Sequence, residues 1–314
     1  MPRKARISLP GEIHHVMSRG LPELLLFRDN NDKKFLLTKI GEVITQSDCE
    51  CYGFALMGTH YHLILRPKTV SLSLIMQRIN TSYATYYNYK YRRSGHVFGE
   101  RFKSTVAQEY WYIRELIRYV NLNPVRGKIC SDLDELVRYP WASHATVMGH
   151  SKHSWVSTHN ILSRFGDDIT AARECYLDWM SSGRGVKKND WYAKKPAFMP
   201  VSEEEEKLFT DTRVKGSADF IRKALEYARK SKEILLKDIT NRPELPDLLK
   251  SICLKKQIPP EMIMKRGRKC AVSQVRAEFC RKAIHLYGYT AVKTAEFLMI
   301  NASSALRLSR KATV

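Results

Sequence analysis

The sequence lacks the features that mark a membrane protein or a zinc protein. No apolar run reaches the roughly 18 residues that a membrane-spanning helix needs, and no leader of basic and then apolar residues opens the chain. The cysteines have no C-x-x-C spacing, so we expect reduced, structural thiols. These are Cys49, Cys51, Cys130, Cys175, Cys253, Cys270 and Cys280. We therefore expect a cytoplasmic protein with no membrane partner.

Acidic residues are also scarce. The 314 residues include 53 Lys and Arg against 32 Asp and Glu, a formal net charge of +21. By segment the net charge is +8 over residues 1–150, 0 over 151–213 and +13 over 214–314. Such an excess indicates a polyanionic partner, with nucleic acid as the first candidate and a nucleoid-associated location as its consequence.

Hydrophobic periodicity divides the chain in a similar way. Residues 1–150 alternate predicted strands and helices, which favours an α+β domain; 151–213 is predicted to be a connector, partly helical; 214–314 is predicted to be an all-α domain. The predicted elements are strands at Ile13–Ser18 and within Cys51–Leu65, helices at Asp32–Thr45, Leu72–Tyr89 and Tyr110–Leu122, and a hairpin at Gly95–Val106. In the connector, Ser202 and Glu205 have the spacing of a capping box.

The sharpest chemical signal is a His-x-His pair, His60 and His62, on a predicted strand. Side chains two residues apart on a strand share a face, so the two imidazoles can chelate a divalent metal. An H-x-H pair is also common without metal, and a site needs a third ligand. The adjacent His14 and His15 alternate on the first strand, so only one of them faces a given side, and we assign neither as a ligand.

The second signal is Tyr119 with Asn123, four residues apart on the flank of a helix whose apolar stripe faces the core. Pro124 disfavours α geometry at Asn123, so we expect the helix to end there. From this segment alone, a half-buried aromatic residue and a C-terminal cap remain an alternative. Around the predicted hairpin, Arg92, Arg93, Arg101 and Lys103 are candidate DNA contacts. The nearby tyrosines of Tyr83–Tyr91 either stack on unpaired bases or pack their helix.

Four ordered motifs over residues 7–149 resemble the REP-associated tyrosine transposases, which are HUH single-tyrosine transposases. They are the Met57–Leu65 segment with its His-Tyr-His, Ser-Gly-His-Val-Phe-Gly-Glu-Arg-Phe-Lys-Ser at 94–104, Arg-Tyr-Val-Asn-Leu-Asn-Pro-Val-Arg at 118–126, and Tyr-Pro-Trp-Ala-Ser at 139–143. The family often has Pro-Asn before the first histidine, where this chain has Gly58-Thr59. That difference puts a supporting role for such an asparagine in doubt.

The resemblance implies a ferredoxin-like antiparallel sheet with packed helices as the catalytic domain, residues 1–150. It implies Mg²⁺ or Mn²⁺ bound by His60, His62 and Asn123, with Tyr119 as the nucleophile that forms a 5′-phosphotyrosine. The implied substrate is single-stranded hairpin DNA of the REP type, bound by a monomer or homodimer. A cation on a non-bridging oxygen suits this chemistry, because it neutralises the phosphodiester that otherwise repels a nucleophile. Arg126 is a further candidate DNA contact.

The last hundred residues predict helices at Val275–Tyr287, Thr290–Leu298 and Ser303–Arg310, with helix-turn-helix spacing. We expect this domain to bind duplex DNA through Arg307, Arg310 and Lys311, and it faintly resembles the DNA-binding domain of the bacterial replication initiator.

Two other functions stay open at this point. A rolling-circle replication initiator or relaxase shares the histidines and tyrosine, although the Asn-Pro-Val-Arg motif favours the transposase. A non-catalytic, sequence-specific DNA-binding regulator is the other.

Overall fold

The computed structural model describes residues 6–183, 208–240, 243–264, 270–287 and 289–309. Two compact units divide the chain, Met1–Ala228 and Arg229–Val314. The predicted capping box at Ser202 and Glu205, and the predicted DNA contacts Arg310 and Lys311, lie outside the described residues.

The first unit is an α+β fold, as the sequence predicted. Its strands are β1 (Ile13–Arg19), β2 (Cys49–Leu56), β3 (His60–Pro67), β4 (Lys103–Ala107) and β5 (Val214–Lys215). Its helices are α1 (Asn30–Gln46), α2 (Leu72–Lys90), α3 (Glu109–Asn121), α4 (Asn123–Arg126), α5 (Leu133–Arg138), α6 (Ser143–Val147), α7 (Thr158–Leu162), α8 (Ile169–Ser182) and α9 (Ala218–Thr240), with a 3-10 turn at Leu208–Thr210. The boundary between the two units falls within α9.

The described strands form one five-stranded sheet with the order β2-β3-β1-β4-β5. The pairs β2–β3, β3–β1 and β1–β4 are antiparallel, whereas β5 is parallel to β4. The antiparallel sheet that the resemblance implied is therefore present in β1–β4, and β5 makes the whole sheet mixed. A parallel neighbour requires a long crossover connection, and the helices between β4 and β5 belong to that connection.

Helices cover both faces of the sheet. Tyr61 donates a hydrogen bond to Asn80 of α2, while the ring of His62 contacts that of Tyr119 of α3. Because consecutive side chains on a strand point to opposite faces, α2 and α3 pack on opposite faces of the sheet. The face under α3 carries the candidate site.

The prediction of a hairpin at Gly95–Val106 was wrong, because the first half of this segment forms no strand. Only Lys103–Ala107 forms a strand, and this strand pairs with β1, with Met17 opposite Lys103. The earlier part contributes an isolated bridge between Gly20 and Phe98. Alternating apolar residues indicate strand geometry, but they do not indicate which strand will be the partner.

The described part of the predicted connector belongs to the first unit. Ile161 of α7 and Tyr176 of α8 are fully buried in the main core. Further along the chain, Val214 packs with Ile7 and Val106 in a smaller cluster of the same unit. Apolar side chains at helical spacing therefore extend the first unit well beyond residue 150.

The described elements of the second unit are all helices. It holds the end of α9 and then α10 (Leu245–Lys256), α11 (Pro260–Met264), α12 (Cys270–Arg281) with a π-helical turn (Lys282–Leu286), α13 (Ala291–Phe297) and α14 (Ala302–Ser309). The predicted all-α character is confirmed, and the core includes Leu249, Ile252, Val275, Phe279 and Ala305. Within the described ranges, none of the helices has the length and apolar character needed to cross a membrane.

Candidate active site

The two predicted metal ligands lie side by side on one face of β3. Tyr61 and Leu63 are fully buried on the opposite face, which fixes the register of the strand. The rings of His60 and His62 are 5.0 Å apart between centroids, with their planes at 77°. The alternation expected from the sequence therefore holds, and both imidazoles face the side on which α3 packs.

Helix α3 brings the predicted nucleophile to these histidines. Its apolar residues Leu116, Ile117 and Val120 are fully buried, and Tyr119, on their flank, is 3% exposed. The Tyr119 ring stands perpendicular to that of His62, with centroids 6.1 Å apart. The phenol and the imidazole pair therefore occupy one site.

A third histidine, His15 of β1, belongs to the same cluster, although it was not assigned as a ligand from the sequence. Its Nε2 lies 2.9 Å from Nδ1 of His62, and its ring centroid is 5.6 Å from that of Tyr119. Burial lowers the pKa of His15 to about 4, so the ring is neutral near pH 7. Its signal was the two-residue alternation, because His15 shares a face with Met17, which pairs with His62.

Asn123 lies one turn beyond Tyr119, but the helix does not end at it. Helix α3 ends at Asn121, and a short second helix, α4, begins at Asn123 with Pro124 in its first turn. Proline is tolerated there because the first N–H groups of a helix have no intrahelical acceptor. The Asn123 amide Nδ2 donates to the Tyr119 carbonyl over 3.0 Å. Within the described residues this amide makes no hydrogen bond to either imidazole of the H-x-H pair.

The donor set fits a divalent cation with open coordination positions. No group of three or more His, Cys, Asp or Glu able to hold a metal occurs among the described residues, so the remaining donors have to be amide oxygen, water or substrate. With Nδ1 of His62 engaged by His15, Nε2 is the nitrogen that can ligate. With Nδ2 of Asn123 directed at its own helix, Oδ1 is the amide atom available to a hard cation.

Arg126 approaches the tyrosine rather than lying fully exposed. Its Nη1 donates to the Tyr119 carbonyl over 3.3 Å, and its Cζ lies 5.5 Å from the centre of the Tyr119 ring. The half-buried guanidinium therefore places a positive charge beside the phenol. In such a place it can stabilise a phosphate anion as well as contact DNA.

The other predicted DNA contacts in the first unit lie around the segment between α2 and β4. Arg92 and Arg101 are exposed, and Lys103, whose side chain is 70% exposed, lies 3.9 Å from Glu100. Arg93 is half-buried and donates to the carbonyl of His96 over 3.3 Å. In the second unit, Arg307 is exposed on α14.

A basic cleft opens onto the histidine cluster from the side of β4. Its volume is about 420 Å³, and its lining includes the basic residues Arg6, Arg101, Lys103 and Arg213, the acidic residues Glu100 and Asp211, and His15. Burial and the neighbouring positive charge of Arg101 lower the pKa of Arg6. Asp211 pairs with Arg213 over 2.6 Å, so Arg6 and Arg101 are the cations whose proximity favours the binding of an anion.

Comparisons with known proteins agree with this geometry at the level of family. The family described as "Transposase IS200 like" matches residues 14–123, which include the three histidines, Tyr119 and Asn123. No curated protein matches. Among solved structures the chain is similar to one described as "Structure of the REP associates tyrosine transposase bound to a REP hairpin". That similarity has a TM-score of 0.40 and 12% sequence identity, and covers 50% of this chain and 98% of that one.

The family match favours a transposase over a rolling-circle initiator or relaxase. The sequence motifs had indicated the same broader family from His60, His62 and Tyr119. Residues 14–123 of this chain therefore match the family model of the IS200-like transposases.

Proposed function

We propose that the first unit is a single-tyrosine transposase of the REP-associated type, which cleaves and rejoins single-stranded DNA. Tyr119 is the nucleophile, and His60, His62 and Asn123 hold Mg²⁺ or Mn²⁺. The observation that carries the proposal is the perpendicular packing of the Tyr119 ring against His62, 6.1 Å between centroids, inside the family-matched region. Ordinary core packing does not require two strand histidines to face a helix tyrosine.

The chemistry follows from these groups. The phenolic oxygen attacks the phosphorus, the bond to the 3′ oxygen breaks, and the phenolic proton leaves to solvent while the 3′ oxygen gains one. The products are a 5′-phosphotyrosine and a free 3′-hydroxyl, so the bond energy is conserved and a hydroxyl can reverse the step. A bound cation neutralises the charge on a non-bridging oxygen. Arg126, next to Tyr119, adds a second positive charge.

The substrate proposed here is a DNA hairpin of the REP type with an unpaired strand. The basic cleft has the size of a small-ligand site and ends at His15, so it suits the unpaired nucleotides next to the scissile phosphate. The second unit would bind duplex DNA through a helix-turn-helix that includes Arg307. Either a monomer or a homodimer is compatible with the geometry, and the nucleoid is the location that this substrate implies.

The test is covalent trapping. Wild-type protein, incubated with a 5′- or 3′-labelled hairpin oligonucleotide and Mn²⁺, should give a denaturant-resistant adduct carrying the strand 3′ to the cut. Tyr119→Phe should give no adduct and should bind the hairpin with nearly wild-type affinity. Tyr112→Phe is the matched control, because Tyr112 is a buried tyrosine two turns earlier on the same helix.

Two outcomes would contradict the proposal. An adduct formed by Tyr119→Phe at the wild-type level would remove Tyr119 from the reaction. Hairpin binding by the wild type without any adduct, across Mg²⁺ and Mn²⁺ concentrations, would favour the non-catalytic DNA-binding regulator.

A further inference from the structure

His15 and His62 share an unusual hydrogen bond between two buried imidazoles. The distance from Nε2 of His15 to Nδ1 of His62 is 2.9 Å, and the ring planes differ by only 8° with centroids 5.1 Å apart. A short N···N distance with nearly parallel planes and well-separated centroids places the hydrogen bond in the plane of both rings. The side chains are only 3% and 2% exposed, so both partners are largely shielded from solvent.

Such a contact holds one proton, and the proton has two possible positions. Either Nδ1–H of His62 donates to Nε2 of His15, or Nε2–H of His15 donates to Nδ1 of His62. In the second arrangement a neutral His62 carries its proton on Nε2, and that nitrogen cannot bind a metal. In the first arrangement the lone pair of Nε2 is directed away from His15 and can ligate.

We propose that His15 is a positioning residue, which accepts the Nδ1–H of His62 and thereby fixes the tautomer and ring orientation in which His62 ligates the cation through Nε2. This inference rests on the proposed function, since it supposes a cation at the H-x-H pair. Ligating histidines usually donate their second N–H to a carboxylate, a carbonyl or water. A neutral imidazole such as that of His15 can also accept this N–H, and unlike a carboxylate it adds no negative charge where an anionic phosphodiester has to bind.

The backbone holds the two rings in this relation. Strands β1 and β3 are antiparallel neighbours, with Met17 opposite His62 and His15 opposite Ile64, so the two imidazoles are diagonal neighbours on one face. The Tyr119 ring lies at 82° to His15 and 90° to His62, and closes that face. Rotation of the His62 ring would therefore break the hydrogen bond and disturb its packing against the tyrosine.

The test measures the affinity of the full chain for Mn²⁺ alone, without DNA, by calorimetry or electron paramagnetic resonance. His15→Phe keeps a ring of similar size but cannot accept a proton, and we expect its Mn²⁺ affinity to fall roughly 10- to 100-fold. His15→Gln offers an amide oxygen at a similar reach and should recover most of the affinity. In adduct formation, His15→Phe should need a correspondingly higher Mn²⁺ concentration for half-maximal rate and approach the wild-type plateau.

A second readout needs no substitution. With ¹⁵N-labelled wild-type protein and saturating Mg²⁺, the His15 ring should carry its proton on Nδ1, with Nε2 unprotonated. A proton found on Nε2 would overturn the inference, and so would wild-type Mn²⁺ affinity in a folded His15→Phe. If His15→Phe does not fold, the His15→Gln variant and the ¹⁵N measurement decide.

His60→Ala and His62→Ala separate this inference from the proposed function. If these variants bind Mn²⁺ as tightly as the wild type, no cation is held by the H-x-H pair and the proposed metal site fails. If they lose Mn²⁺ while His15→Phe keeps it, the metal site stands and only the role of His15 is refuted.

Discussion

His144 of α6 gives a prediction about acid stability that is separate from the candidate active site. The ring is fully buried, and its Nδ1 lies 3.0 Å from the Tyr176 hydroxyl. Burial lowers the pKa of His144 to about 4 from its usual 6.5. Between these two pH values, the unfolded chain binds a proton at this imidazole and the folded chain does not. The free energy of unfolding therefore falls as the pH is lowered through this window.

The size of the effect follows from the shift in pKa. One proton of difference changes the free energy of unfolding by about 1.4 kcal/mol per pH unit, so His144 contributes a loss of about 3 kcal/mol between pH 6.5 and 4. His144→Asn removes the titrating group and can place Oδ1 near the former Nδ1, next to Tyr176. Its cavity costs about 1 kcal/mol at every pH. The variant should thus be less stable at pH 7.5 and lose stability less steeply in acid.

The assay is urea unfolding followed by tryptophan fluorescence from pH 7.5 to pH 4.5. All five tryptophans precede residue 192, so the signal reports on the first unit alone. Relative to His144→Asn, the wild type should lose about 1 kcal/mol of unfolding free energy per pH unit below pH 6, so the variant should become the more stable protein by about pH 5. The exposed residue His96 provides the control, and His96→Asn should follow the wild type. Parallel curves for wild type and His144→Asn would refute the reasoning.

Three other substitutions test a buried carboxylate, an exposed ion pair and the second unit. Asp32 is fully buried, and its carboxylate accepts hydrogen bonds from Lys90 and from the Tyr91 hydroxyl, each over 2.7 Å. Asp32→Asn should lower the free energy of urea unfolding of the first unit by about 2–4 kcal/mol. The loss is no larger because Lys90 is partly solvated when it loses its partner. Glu42→Gln breaks an exposed ion pair with Lys39 and should lower the free energy of unfolding by less than about 1 kcal/mol. An equal loss of stability in Asp32→Asn and Glu42→Gln would contradict the expectation that the buried carboxylate contributes more. Arg307→Gln should weaken duplex binding and reduce the salt slope by about 0.9 in a titration series; an unchanged slope would remove Arg307 from the interface.

Local patterns predicted the elements of the first unit well, but not their pairing. The period of 3.6 at residues 72–89 and the two-residue alternation at β1 and β3 gave elements close to those observed. The strand order could not follow from them. Whether β4 pairs with a local partner or with β1 depends on contacts between residues about 90 apart in sequence, and β5 has only two residues to signal it.

The candidate site was predictable where function depends on spacing within one element. The pairs His60 with His62 and Tyr119 with Asn123 each lie on one strand or one helical stretch. His15 was missed because its contact with His62 crosses 47 residues of chain. A histidine followed by apolar residues on a strand gives the same local pattern whether it faces Tyr119 or an ordinary core.

The tyrosines of Tyr83–Tyr91 show why composition alone could not decide between base stacking and packing. Tyr83 and Tyr87 are fully buried, and Tyr86 stacks on Phe35 with centroids 3.9 Å apart. Tyr89, by contrast, is 88% exposed. Tyr83, Tyr86 and Tyr87 therefore pack their helix, and Tyr89 stays the candidate in this run for stacking on an unpaired base.

The boundary near residue 214 was drawn from charge, and the structure gives a physical reason to move it. Val214 is buried with Ile7 and Val106, and Ile221 and Ala224 of α9 complete this cluster. The Gln108 N–H donates to the Lys215 carbonyl over 2.7 Å, which joins β5 to the end of β4. Charge reports on a partner of the folded chain, whereas the limit of a unit is set by which apolar side chains it buries.

Two truncated chains test that boundary. A chain of residues 1–228 keeps the whole cluster, and its urea midpoint should lie close to that of the first unit within the full chain. A chain of residues 1–213 loses Val214 and Ile221 and uncovers Val106. At about 1.5–3 kcal/mol for each buried aliphatic side chain, it should be less stable by roughly 5 kcal/mol. Equal midpoints for the two chains would mean that residues 214–228 stabilise nothing in the first unit, and the boundary drawn from charge would then be the better one.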